Sequence, residues 1–229
     1  MKKKIKYLVE NICSFFYITN EKKLLKIIDS YEYVSFDIFD TLVRRDVKVP
    51  EDVFQIVEDY YNKKYPEDCI KRFKEVRQES YYRAKSCSSF EEVSLEEIYE
   101  SMIEYTIEQR KVLMNIEIIV EKDLIHVCES MLSIYQECVR KGKKIFITSD
   151  MYLPAYFIEN ILQDAGYGSY DKLYLSCTER VTKKSGHLFQ KLLEDNQVSQ
   201  KNIVHIGDSF FHDYLGASKV GVKALLIKK

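Results

Sequence analysis

The chain has 229 residues, 46% hydrophobic and 31% charged, a composition that excludes an intrinsically disordered protein. Its 35 Lys+Arg against 36 Asp+Glu leave a formal net charge of -1, without the basic excess of a dedicated nucleic-acid binder. No run approaches the roughly 18 apolar residues of a membrane span, and only 7 Gly and 3 Pro argue against a loop-rich fold.

The chain opens basic. Residues 1–26 carry +5, leaving -6 for the remainder. Ile5, Leu8, Ile12 and Phe15 fall at helical spacing and predict an amphipathic helix. Glu10 and Asn11 interrupt its apolar stretch, so it is read as a helix packed on its own domain or docking a partner, not a signal peptide. A second helix is expected near Lys22–Ile28, and Tyr33–Phe36 reads as a strand running into Asp37-Ile38-Phe39-Asp40-Thr41-Leu42.

From Pro50 to about Arg140 the pattern is helical with almost no strand signal. Pro50 with Glu51 and Asp52 suits a helix start. Ser94-Leu95-Glu96-Glu97 is a capping box, and Ile116 to Val139 reads as one long helix stopped at Gly142. Alternation follows: strands at Lys144–Thr148, Leu173–Leu175, Ile203–Ile206 and Ala224–Ile227, and helices at Pro154–Ala165, His187–Asn196 and His212–Lys219. Strand–helix alternation with short connections implies a parallel sheet covered on both faces.

The expected fold is therefore α/β, a Rossmann-like parallel sheet core with an inserted helical cap domain. Residues 1–31 form an N-terminal helical extension, 32–48 and 141–229 the core, and 49–140 the cap. An insertion that long is usually functional, and after the first strand it would stand over the carboxyl ends of the strands, where open α/β sheets bind ligands. The six cysteines, Cys13, Cys69, Cys87, Cys128, Cys138 and Cys177, form no C-x-x-C pair. They read as reduced thiols of a cytoplasmic protein, not as a metal cluster.

Polar residues gather at the strand ends: Asp37; Thr148, Ser149 and Asp150; Thr182, Lys183 and Lys184; and Gly207-Asp208-Ser209 with Asp213. Carboxylates suit a hard cation such as Mg²⁺. A hydroxyl and a lysine suit phosphoryl oxygens, and one carboxylate is left to attack phosphorus. Singly, each element is weak: a strand-end Asp can be a helix cap, and Lys183-Lys184 a solvated pair.

In this order they resemble the haloacid dehalogenase-like (HAD) hydrolase superfamily. Asp37-Ile38-Phe39-Asp40-Thr41-Leu42 resembles its first motif and Ile145-Phe146-Ile147-Thr148-Ser149 its second. Lys183, six residues before Phe189, resembles the third, and Gly207-Asp208-Ser209-Phe210-Phe211-His212-Asp213 the fourth. Residues 49–140 stand in the place of a C1-type cap. Ser149-Asp150-Met151-Tyr152-Leu153-Pro154 and His205-Ile206-Gly207-Asp208 resemble a branch of hydrolases associated with bacterial glycosyltransferases.

The resemblance implies Asp37 as the nucleophile that becomes aspartyl-phosphate, with Ser149 on the phosphoryl group. It implies Lys183 as the charge-neutralising lysine, with Lys184 as the fallback. It further implies Mg²⁺ held by Asp37, Asp208, Asp213 and the main-chain carbonyl of Phe39, with Ser149 and Lys183 on the substrate; Thr41 and Arg44 are further candidate substrate contacts. One position departs. Family phosphatases carry an acid/base Asp two residues after the nucleophile; here that residue is Phe39, and Asp40 stands where Gly is frequent. Asp40 reads either as a displaced acid/base or as a turn carboxylate. Arg44 and Arg45 lie at the cap's root. Arg77, Tyr81 and Lys85 share a helical face, read as an anion clamp or, with more weight, as a solvated charged face.

The expected activity is Mg²⁺-dependent removal of phosphate from a small phosphorylated metabolite such as a sugar or polyol phosphate. The alternatives are a phosphotransferase, a catalytically weak domain binding a phosphorylated ligand or a partner enzyme, and, remotely, a metal-free dehalogenase.

Overall fold

The computed structural model describes residues 17–228. The expected helix over Ile5–Phe15 therefore lies outside the described residues. In chain order the elements are β1 (Tyr17–Ile18), α1 (Glu21–Ile28), β2 (Tyr33–Phe36), β3 (Val43–Arg45), α2 (Val53–Lys64), α3 (Phe73–Cys87), α4 (Leu95–Glu100), α5 (Ile107–Leu124) and β4 (Ile125–Val127). There follow α6 (Glu129–Arg140), β5 (Lys144–Ser149), α7 (Ala155–Asp164), β6 (Lys172–Leu175), α8 (Ser176–Glu179), α9 (His187–Asn196), β7 (Ile203–Gly207), α10 (Leu215–Lys219) and β8 (Lys223–Ile227). The main sheet has six strands in the order β1-β8-β7-β2-β5-β6, all parallel. It is an α/β, Rossmann-like core.

The central strands are apolar because helices cover both faces of a parallel sheet. Val34, Phe36, Ile147, Val204 and Ile206 are all fully buried. With β2 between β5 and β7, the carboxyl ends of those strands converge, and Asp37, Ser149 and Gly207 meet at one edge.

Two expectations in the insertion are corrected. The single helix over Ile116–Val139 is two, α5 and α6, interrupted by β4, and β4 pairs antiparallel with β3. Local periodicity misses this because each strand is three residues long and its partner is distant in sequence. The two-stranded ribbon ties both roots of the insertion together. Cys128 N–H donates to the Leu42 carbonyl (2.9 Å), and Tyr167 Oη donates to that carbonyl (2.8 Å). Helix α6 packs on β5 and α1, as a crossover helix of the core.

The face of Arg77, Tyr81 and Lys85 is also not solvated. Arg77 is 1% exposed and makes a bidentate pair with Glu117, both hydrogen bonds 2.8 Å. Tyr99 Oη donates to the same carboxylate at 2.8 Å. The guanidinium lies over Phe54 at 4.8 Å and over Tyr152, a core residue, at 4.7 Å. Burial opposes the Arg77 charge, but Glu117 outweighs it and holds the guanidinium charged above its ordinary range. Tyr81 and Lys85 both donate to Glu92.

Removing one member of a buried pair leaves an uncompensated charge, which costs about 3–5 kcal/mol. Glu117→Leu should lower unfolding stability by that amount in urea titrations, and the double variant Arg77→Met/Glu117→Leu should recover most of it. A single variant as stable as wild type would show that the pair does not hold the insertion.

Candidate active site

The loop after β2 is built by one carbonyl. Ile38 C=O accepts from Leu42 N–H (2.8 Å) and Val43 N–H (3.0 Å), which turns the chain back toward its start. Asp40 takes the left-handed conformation this turn needs, with φ 61. Asp reaches that region more readily than most residues because its short side chain bonds locally. The turn brings Thr41 over Asp37, and its hydroxyl donates to Asp37 Oδ2 at 3.3 Å.

Lys183 is the centre of the site. It is 2% exposed, and its ammonium bridges Asp37 Oδ1 and Asp213 Oδ1, each at 2.5 Å. Ser149 Oγ donates to Asp37 Oδ1 at 3.1 Å. Asp150 secures the lysine loop: its carboxylate accepts from Lys183 N–H at 2.6 Å and faces His212 Nδ1 at 2.9 Å. Lys184, the fallback, is exposed.

Two glycines make room for this. A Cβ on Gly216 would lie 2.1 Å from the Lys183 carbonyl oxygen, so only glycine lets α10 pack on the lysine loop. A Cβ on Gly207 would lie 2.3 Å from Asp213 Cγ. The Asp213 carboxylate occupies that cradle and accepts from Ser209 N–H at 2.8 Å. Behind it a buried polar chain crosses three strands. His205 Nε2 meets Asp213 Oδ1 (3.0 Å), His205 Nδ1 meets Ser35 Oγ (2.9 Å), and Ser35 Oγ meets Thr148 Oγ1 (2.8 Å).

Carboxylate oxygens of Asp37, Asp208 and Asp213 lie within 4.8 Å of one another. An all-oxygen set of three carboxylates suits a hard divalent cation such as Mg²⁺, so the residues present fit the ion expected from the sequence. Burial raises the Asp37 carboxyl above its usual range, against the pull of Lys183. Asp213 is also buried, but Lys183 and His205 outweigh this and hold it below the carboxylate range. Burial works against the Lys183 ammonium too, and Asp213 and Asp37 overcome it and raise its pKa.

Asp37, Phe39, Asp40, Ser149, Lys183, Asp208 and Asp213 line one pocket, and Thr41 borders it through Asp37. Arg44 does not join them. Alternate residues of a strand face opposite sides, and Arg44 lines a different pocket with Asn20 and Cys128 while its neighbour Arg45 lines the pocket of Asp37. The pocket shares Pro50, Asp150, Met151 and His212 with a cavity of about 330 Å³ roofed by Phe54, Arg77, Tyr81 and Glu92 of the insertion. Sequence reasoning missed His205 and Ser35. A polar residue inside an otherwise apolar central strand was the available signal.

The family model described as haloacid dehalogenase-like hydrolase matches residues 34–227. The chain belongs to the haloacid dehalogenase-like hydrolase family. No curated protein matches. Among solved structures, the 2-haloacid dehalogenase of Pseudomonas syringae superposes with TM-score 0.62 at 18% identity, covering 85% of each chain. The magnesium-bound HAD-hydrolase YfnB of Bacillus subtilis gives 0.59 at 15% identity, over 85% of this chain and 87% of that one. The HAD phosphatase of Thermococcus onnurineus gives 0.56 at 18% identity, over 84% of each. At these identities the likeness is one of fold.

In this family member the insertion is also latched to the lysine loop. Glu91 accepts from Thr182 N–H (2.9 Å) and Ser185 Oγ (2.6 Å) and pairs with His187, while Arg180 bonds Glu97 at 2.5 Å. Burial raises the Glu91 carboxyl, but these hydrogen bonds prevail and bring it to about 2 from 4.5. A depressed carboxylate contributes stability that is complete above its unfolded pKa and lost as pH falls through the folded one. The Tm difference between wild type and Glu91→Gln should therefore shrink as pH falls from 4.5 to about 2. A difference independent of pH across that window would rule out the carboxylate latch.

Proposed function

We propose that this haloacid dehalogenase-like hydrolase removes phosphate from a small phosphorylated metabolite, such as a sugar or polyol phosphate, through an aspartyl-phosphate on Asp37. The observation that carries the reading is the three-carboxylate cluster beside a buried lysine. A dehalogenase needs no cation and no such cluster. Residues of the insertion from 49 to about 124 act as a C1-type lid over the site, and α6 serves the core. The SDMYLP segment and the His205–Asp208 run favour the branch associated with glycosyltransferases.

Asp37, Asp208 and Asp213, with the Phe39 carbonyl, would hold Mg²⁺, which supplies charge neutralisation for the phosphoryl group. The chain's own groups do the rest. A carboxylate oxygen of Asp37 attacks phosphorus, Ser149 and Thr41 donate to phosphoryl oxygens, and Lys183 offsets the negative charge shared by Asp37 and the phosphoryl group. Asp213 and Asp150 hold Lys183 in place, and His205 holds Asp213.

Asp37→Asn should lower kcat at least ~10³-fold, in line with loss of a covalent nucleophile that acts as part of a unit. A beryllium fluoride complex should form on Asp37 of the wild type. Full activity of Asp37→Asn in a Mg²⁺-dependent assay would sink the mechanism.

Phe39 provides no acid for the leaving group, a function worth about 10²–10⁴ in rate. Aryl phosphates, which leave as stabilised phenolates, should therefore exceed alkyl phosphates in kcat/KM by a factor of that order. Equal values would remove the handicap assigned to Phe39. Asp40→Asn separates the two readings of Asp40. The turn conformation favours an unchanged alkyl-to-aryl ratio, and a selective loss of alkyl turnover would make Asp40 the acid.

A further inference from the structure

We propose that Arg45 is a further catalytic residue, whose guanidinium receives the negative charge developing on the leaving-group oxygen. The inference rests on the aspartyl-phosphate reading above.

Three observations carry it. First, Arg45 lines the same pocket as Asp37, Lys183 and Asp208, although its side chain is only 11% exposed. Second, the group is held on two sides. Its Nε donates to Glu121 Oε2 at 2.6 Å, and its guanidinium carbon lies 3.7 Å from the centroid of the Phe39 ring. Third, no described residue accepts from Nη1 or Nη2; Glu121 at Nε is its hydrogen-bond partner. A guanidinium carries five N–H donors in a fixed fork. Four of them have no acceptor among the described residues.

The other basic side chains of the pocket already have partners. Lys183 is shared between Asp37 and Asp213, and His212 faces Asp150. Arg45 is therefore the fixed positive charge among the pocket's described residues with the most donors to spare. Its position also gives Phe39 a role. An aromatic face two residues after Asp37 is a platform for a guanidinium, through cation–π attraction and stacking. A carboxylate there would instead pair with it and cancel its charge.

In the step at issue, an Asp37 carboxylate oxygen forms its bond to phosphorus while the bond from phosphorus to the ester oxygen breaks. The bonding pair leaves on the ester oxygen as RO⁻. Arg45 donates a hydrogen bond to that oxygen and keeps its proton, and water protonates the alkoxide after release. A donor fixed in place before charge develops needs no reorganisation when it does.

The test is a leaving-group series. The value of kcat/KM includes steps only through phosphoryl transfer to Asp37, so later hydrolysis of the aspartyl-phosphate does not enter. For wild type and Arg45→Met, log(kcat/KM) is plotted against leaving-group pKa over substituted phenyl and alkyl phosphates with Mg²⁺. Losing a fixed donor to a developing oxyanion costs about 10²–10³. The Arg45→Met line should therefore fall about 100-fold for alkyl esters and only a few-fold for the most acidic phenols, giving a steeper slope. Arg45→Lys should lie between the two.

Parallel lines would overturn the proposal, because they place Arg45 on the non-bridging oxygens or in the fold alone. If Arg45→Met fails to fold because Glu121 is stranded, Arg45→Met/Glu121→Gln removes both charges and is read in the same way. Wild type that releases no phosphate from any aryl ester overturns the phosphatase reading and this inference with it.

Discussion

The site depends on one buried ammonium. Lys183 joins Asp37, which follows β2, to Asp213, which follows β7. Three charged groups this deep would each be expensive alone. Together, the ammonium offsets part of the two carboxylate charges, and the remaining lone pairs are met by Ser149, Thr41, Ser209 N–H and His205. The backbone is cut to suit: glycine at 207 admits the Asp213 carboxylate, and glycine at 216 admits the Lys183 carbonyl. The chain Thr148–Ser35–His205–Asp213 ties the same carboxylate to β5, β2 and β7. A shift of any one of these strands would break a buried hydrogen bond, so the sheet core and the charge cluster fix each other.

A second constraint comes from the insertion. Glu117 and Glu121 lie one helical turn apart on α5, which sets them on one face. Glu117 takes Arg77 and Glu121 takes Arg45. Arg77 lies over Tyr152 of the core, and Arg45 over Phe39 of the loop that carries Asp37. The face of α5 thus reaches both the roof and the floor of the site through guanidinium groups. Glu91 adds a third tie, onto the loop that bears Lys183. The insertion is coupled to the site by ionic and polar contacts, on top of a ribbon at its root.

The site was readable where its residues sit at strand ends in a fixed local context. Asp37, Ser149 and Asp208 close the apolar strand runs, with Lys183 and Asp213 a few residues beyond theirs, and a run that ends in polar residues is visible without coordinates. The choice of Arg44 over Arg45 was not readable. Which arginine lines the pocket of Asp37 is decided by the phase of β3, and β3 exists only through pairing with β4, some eighty residues on. Arg77 misled for a related reason: a charged residue on a helix reads as solvent-facing until its buried partner, Glu117, is located. The left-handed conformation of Asp40 was not readable either, since a backbone torsion carries no mark in the sequence beyond a tolerance for Asp.

By itself, the sequence determined the α/β class, the placement of nearly every strand and helix of the core, and the strand-end residues of the pocket, because these follow from local periodicity and composition. The resemblance to the family further implied that Phe39 stands where its phosphatases carry an acid/base Asp. Tertiary structure alone decided the break between α5 and α6, the burial of Arg77, the side of β3 that lines the pocket of Asp37, and the polar chain through His205. Each of these depends on a partner far away in the sequence. A side chain's burial, orientation and charge state are properties of the pair, and no pattern confined to one neighbourhood of the chain contains the second member.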